Sequence, residues 1–310
     1  MKDFSRKDVR DAYRVFLDRA PENQAAVEHH YSQNDSLAKL LETLWNSEEF
    51  QARLKKMTQV QVAPKSERTE RLSLHDTCTG KYFLPADAYQ DVIANTIIMG
   101  EIFDESIYET AKRYIKPGTA VLDVGSNFGQ MAILFSRLVG DSGVVHAFEA
   151  DDFVFRILNK NIAVNNCANI VAHFGAVHNI SGEMLRFPVQ DFERFGTYGS
   201  YGIDYTNSMV GDRFVKTITI DDLDLILPIS LMKIDVQGGD LLVLKGAEKT
   251  IKKNRMPIIF EYEYSFEDEL ELNFQDYIDF VRSINYRFEK VVLSHNFLIV
   301  PSDYPKDSKK

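Results

Sequence analysis

Residues 119–129 read Thr-Ala-Val-Leu-Asp-Val-Gly-Ser-Asn-Phe-Gly. A short apolar run ends in Asp123, two glycines follow at Gly125 and Gly129, and an apolar pattern at helical spacing begins at Met131. This order predicts a buried strand, a tight turn and the N-terminus of a helix. In α/β proteins that arrangement is where nucleotides bind.

The glycine spacing favours a cationic cofactor over a dinucleotide. A dinucleotide loop reads G-x-G-x-x-G, with a glycine at the second position so that pyrophosphate can approach. Here Asn127 occupies that position, and Asp123 lies two residues before Gly125. An acid so close would repel pyrophosphate, but it suits the sulfonium and ammonium groups of S-adenosylmethionine. We predict that Asp123 supports the ammonium group; a turn-capping acid is the alternative. The predicted cofactor contacts in this loop are Asp123, Gly125, Ser126, Asn127 and Gly129.

A second strand with a terminal acid follows. Residues 144–149 read Val-Val-His-Ala-Phe-Glu, so that an apolar run ends in Glu149. A carboxylate at this place can accept both ribose hydroxyls of a bound nucleoside. We predict that role for Glu149. The alternative is a helix N-cap carboxylate ahead of Asp151 and Asp152.

The bulk composition is that of a globular protein. Of the 310 residues, 45% are apolar and 26% are charged, and the length fits one large domain plus a smaller one. No apolar run reaches the roughly 18 residues that span a bilayer, and no secretory signal is visible. Two cysteines in separate segments, Cys78 and Cys167, favour a reducing compartment, so a cytoplasmic location is predicted. The net charge of −10 argues against a nucleic-acid partner.

Residues 1–57 are predicted to form a small helical domain. Apolar residues repeat at helical spacing, and no acid, base and nucleophile converge there. The stretches at 13–21 and 46–50 resemble a small helical domain appended to bacterial glycan-processing enzymes. We therefore predict a scaffold, or a docking surface for a second copy of the chain or another enzyme of a pathway. Residues 58–73 lack periodicity and are predicted to be a linker.

The remaining chain is predicted to form one α/β domain at residues 74–302, followed by a flexible tail at 303–310. Alternating strands and helices imply a parallel sheet. A terminal hairpin at 286–292 and 296–300 is expected to add an antiparallel part. The other predicted elements are helices at 152–164, 239–251 and 274–284 and strands at 169–174, 214–219, 229–235 and 256–261. This layout resembles the Rossmann-like class I methyltransferases, whose sheet has seven strands.

A narrower resemblance is to the FkbM family of S-adenosylmethionine-dependent methyltransferases. Five pieces carry it, in chain order: residues 122–129, residues 148–150 with Asn161 and Asn165 downstream, residues 219–223, residues 232–247, and residues 257–261. Three positions depart from the usual pattern, at Ser126, Ala150 and Gln237. The resemblance implies methyl transfer to an acceptor oxygen. It also implies cofactor contacts at Ala150 and Ala176 and near Asp104.

Carboxylates fall at the carboxyl ends of the predicted strands, where open α/β sheets bind ligands. Besides Asp123 and Glu149, these are Asp235 and Glu261. Lys233 lies on the same face of its strand as Asp235, and a lysine in an apolar strand requires a partner. The Lys233–Asp235 pair either orients or deprotonates the acceptor, or is a structural ion pair. Asp235, Lys233 and Glu261 are the predicted catalytic residues.

The acceptor is predicted to be a sugar hydroxyl in a surface glycan or a natural-product precursor. Glu261 and Glu263 could hydrogen-bond such hydroxyls, or could lie at a solvated strand end. Residues 197–208 form a tyrosine-rich loop that suits sugar stacking. The predicted substrate contacts are Tyr198, Tyr201, Tyr205 and Glu263.

Three other functions stay open from the sequence. The first is an NAD(P)-dependent oxidoreductase, against which Asn127 argues. The second is a non-catalytic nucleoside-binding scaffold. The third is a divalent-cation-dependent methyltransferase with Asp235 and Glu261 as oxygen ligands. A metal is not expected, because Gln237 removes a charge from the rim of the site.

Overall fold

The computed structural model describes residues 2–17, 19–57, 71–86, 91–187, 213–264, 272–293 and 295–305. The predicted acceptor loop, with Tyr198, Tyr201 and Tyr205, lies outside the described residues. So do most of the predicted linker and the last five residues of the predicted tail. Within the described ranges, no helix is long and apolar enough to cross a membrane.

The N-terminal part is helical, as the apolar spacing predicts. Its helices are α1 Arg6–Leu17, α2 Gln24–Gln33, α3 Leu37–Trp45 and α4 Glu48–Met57. Short polar side chains start two of them, since Asn23 accepts a hydrogen bond from the Ala26 amide and Ser36 accepts one from the Lys39 amide. The apolar faces of α1 and α3 are buried. We call these four helices the helical unit.

The main sheet confirms the predicted fold class. In the described chain the strands are β1 Leu72–Thr77, β2 Gly80–Pro85, β3 Ala120–Val124, β4 Val144–Glu149, β5 Ile170–Phe174, β6 Ala176–Val177, β7 Met184–Phe187, β8 Arg213–Ile218, β9 Ile229–Ile234, β10 Ile258–Glu261, β11 Tyr286–Leu293 and β12 Asn296–Pro301. Seven of them form one sheet in the order β11-β12-β10-β9-β3-β4-β5. Strands β3, β4, β5, β9 and β10 pair in parallel, and β12 is antiparallel to both β10 and β11. The carboxyl ends of the parallel strands therefore meet at one edge.

The helices of this domain are α5 Val92–Ile98, α6 Glu105–Ala111, α7 Gln130–Val139, α8 Asp152–Val164, α9 Asp240–Gly246, α10 Glu248–Asn254 and α11 Phe274–Ser283, among the residues described. The helix predicted at 239–251 is thus two helices. Gly246 approaches His178 so closely that a Cβ there would lie 2.0 Å from the His178 carbonyl oxygen. The second helix starts with its own cap, because Asp221 accepts hydrogen bonds from the amides of Lys249 and Thr250 at 2.9 and 2.8 Å.

Two parts of the fold differ from the sequence prediction. The strand predicted at 214–219 is β8, which pairs with β6 and β7 in a separate three-stranded sheet. A hairpin of β1 and β2 was not predicted, and β1 begins at Leu72, inside the linker predicted to extend to residue 73. Two asparagine side chains hold this hairpin. Asn161 accepts from the Phe83 amide and donates to the Phe83 carbonyl, and Asn165 makes the same two bonds with Lys81. These two asparagines of the family pattern are therefore structural.

Removing the Asp221 cap should destabilise the fold measurably. Asp221→Ala leaves two amides at the start of α10 without their side-chain acceptor, so the free energy of unfolding should fall by about 1 kcal/mol. Urea denaturation checks this value. The control is the exposed Asp224, where Asp224→Ala should stay within about 0.5 kcal/mol of wild type. Equal stability of both variants would contradict the capping role.

Candidate functional site

The glycine loop between β3 and α7 has the shape that its sequence predicts. Gly125 has a φ of +80°, and a Cβ on it would lie 1.8 Å from the carbonyl oxygen of Asp235. No side chain can therefore replace its hydrogen without moving the backbone. The amides of Gly125 and Ser126 donate to the Phe148 carbonyl at 3.1 and 2.9 Å, which ties the loop to the end of β4. Asn127, with a φ of +48°, completes the turn.

Asp123 is a fully buried acid at the end of β3, with 0% of its surface exposed. In the described part of the chain, neither carboxylate oxygen has a hydrogen-bond partner. Burial raises the pKa of this carboxyl, and the Lys233 ammonium, 3.8 Å from Oδ1, opposes the rise. An unsatisfied buried acid is costly unless a ligand completes it. The structure does not support the alternative of a turn cap, because no backbone amide of the described residues donates to these oxygens.

Lys233 joins the glycine loop to Asp235. Its ammonium donates to the Gly125 carbonyl and to Asp235 Oδ2, both at 3.1 Å, and the residue is only 5% exposed. Burial alone would lower the Lys233 pKa, but the Asp235 and Asp123 carboxylates outweigh it and raise the pKa above the ordinary lysine value. For Asp235, burial is likewise outweighed by Lys233, so its pKa is lowered. Both groups are therefore charged near neutral pH.

Glu149 receives backbone hydrogen bonds from both sides. Its Oε2 accepts from the Asn127 amide at 2.9 Å and its Oε1 from the Asp151 amide at 2.8 Å. Burial raises the pKa of Glu149 to about 7 despite these bonds. The helix cap is Asp151, which accepts from the Phe153 and Val154 amides, so the N-cap alternative for Glu149 is wrong.

Asp104 interacts electrostatically with the Lys233–Asp235 pair. Its backbone is in the left-handed conformation, with a φ of +56°, directly before α6. Burial first, and then the Asp235 carboxylate, raise the pKa of Asp104 to about 6. Gln130 fixes the segment before it, accepting from the Phe103 amide at 2.9 Å and donating to the Glu101 carbonyl at 2.8 Å. The sequence analysis missed Gln130, which follows the second glycine of the loop and starts α7.

Three further residues predicted to contact the cofactor are Ser126, Ala150 and Ala176. The Ser126 hydroxyl donates to the Asp123 carbonyl at 2.7 Å, so it stabilises the turn. Ala176 is buried in β6 and packs with Val215, and the half-buried Ala150 contacts this small cluster. Their role in cofactor binding stays a prediction.

A second group of carboxylates lies at the end of β10 and just beyond the ends of β9 and β10. Asp240, fully buried at the start of α9, accepts from the Glu261 amide at 3.0 Å and the Val236 amide at 3.4 Å. Burial and the Asp235 charge raise the pKa of Asp240 to about 7. Gln237 donates to Asp235 Oδ1 at 3.1 Å and reaches Glu261 Oε2 at 3.5 Å. Asp240 was missed in the sequence, although an acid after two glycines at a helix start could have indicated it.

Glu261 and Glu263 complete this carboxylate group. Burial, followed by repulsion from Asp235, raises the pKa of Glu261 well above its ordinary value. Burial, Asp235 and Asp240 raise the pKa of Glu263 to about 8. Glu263 Oε2 is a buried atom that no donor among the described residues reaches. Within the same residues, no group of three or more His, Cys, Asp or Glu side chains could hold a metal ion.

The seven-stranded sheet and its glycine loop place this chain in the Rossmann-like α/β class. The family model of the methyltransferase FkbM domain matches residues 123–288, more than half of the chain. The chain belongs to this family. The family predicted from the sequence, and with it the cofactor, are thereby confirmed.

Similar proteins include ubiquinone/menaquinone biosynthesis C-methyltransferases UbiE. The protein of Shewanella baltica is 28% identical over 116 residues, which are 36% of this chain and 45% of the relative. That of Vibrio parahaemolyticus is 24% identical over 173 residues, 54% of this chain and 59% of the relative. The chain thus spans about half the length of these curated relatives.

Solved structures similar to this chain include a methyltransferase FkbM from Methylobacillus flagellatus. It has a TM-score of 0.39 and 16% identity, over 67% of this chain and 52% of that one. An S-adenosylmethionine-dependent O-methyltransferase from Thermotoga maritima has a TM-score of 0.35 and 13% identity, over 73% and 76% of the two chains.

The ribose role predicted for Glu149 leads to a binding prediction. Glu149→Ala should weaken S-adenosylhomocysteine binding by about 10- to 100-fold, because hydrogen bonds to a charged group contribute about 1.5–3 kcal/mol. Calorimetry measures the affinity directly. Asp152→Ala, which removes the same charge from a half-exposed side chain on α8, should leave it unchanged. Equal affinities for both variants would remove Glu149 from the cofactor site.

Proposed function

We propose that this protein transfers the methyl group of S-adenosylmethionine to a hydroxyl oxygen of a sugar in a surface glycan or a natural-product precursor. Membership of the FkbM family supports the methyl transfer. The resemblance of the helical unit to domains appended to glycan-processing enzymes supports the sugar. The carboxylates beyond β9 and β10 support a hydroxyl acceptor, because they accept hydrogen bonds from such groups.

The residues at the end of β3 fit the cofactor. The buried Asp123 has two oxygens without a hydrogen-bond partner in the described structure, and Gly125 leaves the loop without a side chain. We assign Asp123 and Asp104 to the cationic end of the cofactor and Glu149 to the ribose. When bound, S-adenosylmethionine supplies an electrophilic methyl group on a positively charged sulfur.

The observation that carries the proposal is the position of Lys233. Its ammonium bonds the Gly125 carbonyl on one side and Asp235 on the other. Gln237 then connects Asp235 to Glu261. The cofactor loop and the second carboxylate group are thus linked through partly buried polar contacts, so an acceptor held by the carboxylates lies beside the cofactor loop. Holding two reactants in place can supply up to about 7–11 kcal/mol in ideal cases.

Glu263 is the carboxylate we assign as the proton acceptor. A general base works best when its pKa lies near the working pH, and the Glu263 pKa is about 8. The sequence analysis left open that the Lys233–Asp235 pair deprotonates the acceptor, but the ion pair with Lys233 lowers the pKa of Asp235 and therefore its basicity. We therefore assign Asp235 to holding Lys233, and Glu261 to binding the acceptor beside Glu263.

The experiment has two stages. Calorimetry with S-adenosylhomocysteine and, separately, NADH tests the cofactor; binding of NADH alone would overturn the proposal. Incubation with methyl-¹³C-labelled S-adenosylmethionine and a panel of nucleotide sugars and simple glycosides then tests the acceptor. Transfer to a sugar oxygen is the expected result. If the cofactor binds and no sugar is methylated, the sugar assignment fails.

Methylation of carbon is the second candidate, because the curated relatives are named C-methyltransferases. The ¹³C-labelled product distinguishes methylation of oxygen from methylation of carbon. A methyl carbon bonded to oxygen resonates well downfield of one bonded to carbon in the ¹³C spectrum. A labelled methyl group in the carbon-bonded region, formed on a phenolic or quinol acceptor, would favour this second function.

A further inference from the structure

The helical unit and the α/β domain share one apolar core. The Phe16 ring of α1 lies 5.8 Å from the Phe274 ring and 6.5 Å from the Phe297 ring, measured between centroids. Trp45, at the end of α3, lies 6.2 Å from Phe274. These rings belong to a single cluster of buried residues that continues into the sheet. The helices therefore pack on α11 and on β12, the strand that pairs with β10.

The segment 261–264 alternates between two environments. Glu261 and Glu263 interact electrostatically with Asp235 and Asp240 at the site. The intervening tyrosines contact the helical unit instead: the Tyr262 ring lies 5.4 Å from the Trp45 ring, and the Tyr264 ring lies 5.8 Å from the Phe50 ring. Both pairs meet edge to face, which is a favourable aromatic geometry.

The backbone ladder does not extend through this segment. Strand β10 ends at Glu261, whose partner across the ladder is Asn296. Beyond it, the Tyr262 amide still donates to the His295 carbonyl at 2.9 Å. Glu263 therefore lies past the regular pairing, between two tyrosines that pack on the helices.

A second path leads from the same tyrosine to Asp240. The Tyr262 ring contacts the Tyr277 ring at 5.2 Å, and the Tyr277 hydroxyl accepts a hydrogen bond from the Leu241 amide at 3.2 Å. Leu241 directly follows Asp240, which in turn holds the Glu261 amide. The aromatic packing is thus connected to Asp240 as well as to the two glutamates.

We propose that Trp45 and Phe50 are positioning residues: by packing on Tyr262 and Tyr264, the helical unit fixes Glu261 and Glu263 in the acceptor side of the site. This inference rests on the proposed role of the two glutamates in acceptor binding. It gives the helical unit a part in the reaction site, in addition to the scaffold or docking role expected from the sequence.

The test follows the Glu263 carboxyl itself. In protein labelled with carboxyl-¹³C glutamate, the Glu263 resonance is assigned by its loss in Glu263→Gln, and its shift is recorded against pH. Removing the Phe50 ring should admit water and loosen the segment. The Glu263 pKa, about 8 in the intact protein, should then fall in Phe50→Ala by about one unit or more toward its ordinary value. Phe50→Leu should shift it in the same direction by less, and it serves if the alanine variant does not fold.

Phe4→Ala is the matched control. Phe4 is a buried phenylalanine of the same N-terminal part, and its ring packs on Tyr31 at 5.2 Å. It should leave the Glu263 titration unchanged, although it removes the same side-chain atoms. An unshifted titration in both Phe50 variants would overturn the inference, and so would an equal shift in Phe4→Ala.

S-adenosylhomocysteine affinity, measured on the same samples, separates this inference from the proposed function. It should stay within about threefold of wild type in the Phe50 variants, since a change below about 0.7 kcal/mol is expected when the cofactor loop is untouched. If the wild-type protein does not bind it at all, the proposed function fails, while the titration still decides the positioning role. A large loss of affinity in Phe50→Leu would contradict a role confined to the acceptor side.

Discussion

Lys233→Met should lower the free energy of unfolding by about 3–5 kcal/mol, because it leaves buried carboxylates without their counter-charge. Asp123 is fully buried, and Asp235 bonds the Lys233 ammonium at 3.1 Å. Both would have to take up protons or remain as unpaired charges. Denaturant unfolding at pH 7 measures the loss. The loss should shrink at acid pH, where protonation neutralises the two carboxyls.

Two further variants make this prediction specific. Lys245→Met removes an exposed lysine of α9 and should change stability by less than about 0.5 kcal/mol. Adding Asp235→Leu to Lys233→Met should recover part of the loss, because it removes one of the unpaired charges. If Lys233→Met is as stable as Lys245→Met, the ammonium does not hold the two strand ends together.

Glu263→Gln should lower kcat by about 10²- to 10⁴-fold, the usual contribution of a general base. The amide keeps the shape of the side chain but cannot take up the acceptor proton. In the wild-type protein, kcat/KM should rise with pH, with an apparent pKa near 8, because the carboxyl must lose its proton before it can act. That rise should be absent from the variant. Steady-state kinetics between about pH 6 and pH 9 test both statements.

The control for this variant is Glu109→Gln, which makes the same change on the exposed face of α6, where Glu109 pairs with Lys112. It should retain full activity. S-adenosylhomocysteine affinity should be unchanged in both variants, since among the described residues neither glutamate is hydrogen-bonded to the glycine loop. A Glu263→Gln protein with normal kcat and an intact pH profile would remove Glu263 from the mechanism.

The shape of the glycine loop could be predicted because its residues are close together in the chain. The turn from Asp123 to Gly129 is specified by its own glycines, and Glu149 follows at the end of the neighbouring strand. Local backbone requirements determine this geometry, such as the positive φ of Gly125. The four predicted carboxylates lie at one sheet edge for a different reason, because neighbouring parallel strands end together.

The second carboxylate group depends on contacts between distant parts of the chain, which a single sequence does not reveal. Glu263 acquires its raised pKa from burial and from Asp235 and Asp240, which belong to another strand and helix. The hairpin β1–β2 is held by Asn161 and Asn165, roughly eighty residues away along the chain. The alternation of glutamates and tyrosines at 261–264 can be read from the sequence. The sequence does not show that the two tyrosines pack on Trp45 and Phe50 of the helical unit.

The aromatic seam between Phe16 and Phe274 has a consequence for protein engineering. A truncated chain that starts at residue 71 would expose the buried rings of Tyr262, Phe274 and Phe297 to solvent. An exposed apolar surface of this kind favours aggregation. Grafting the N-terminal helices of a relative onto this sheet should succeed only if the donor brings rings of matching size at the positions of Phe16, Trp45 and Phe50. The two parts can therefore be exchanged as a pair, but not one at a time.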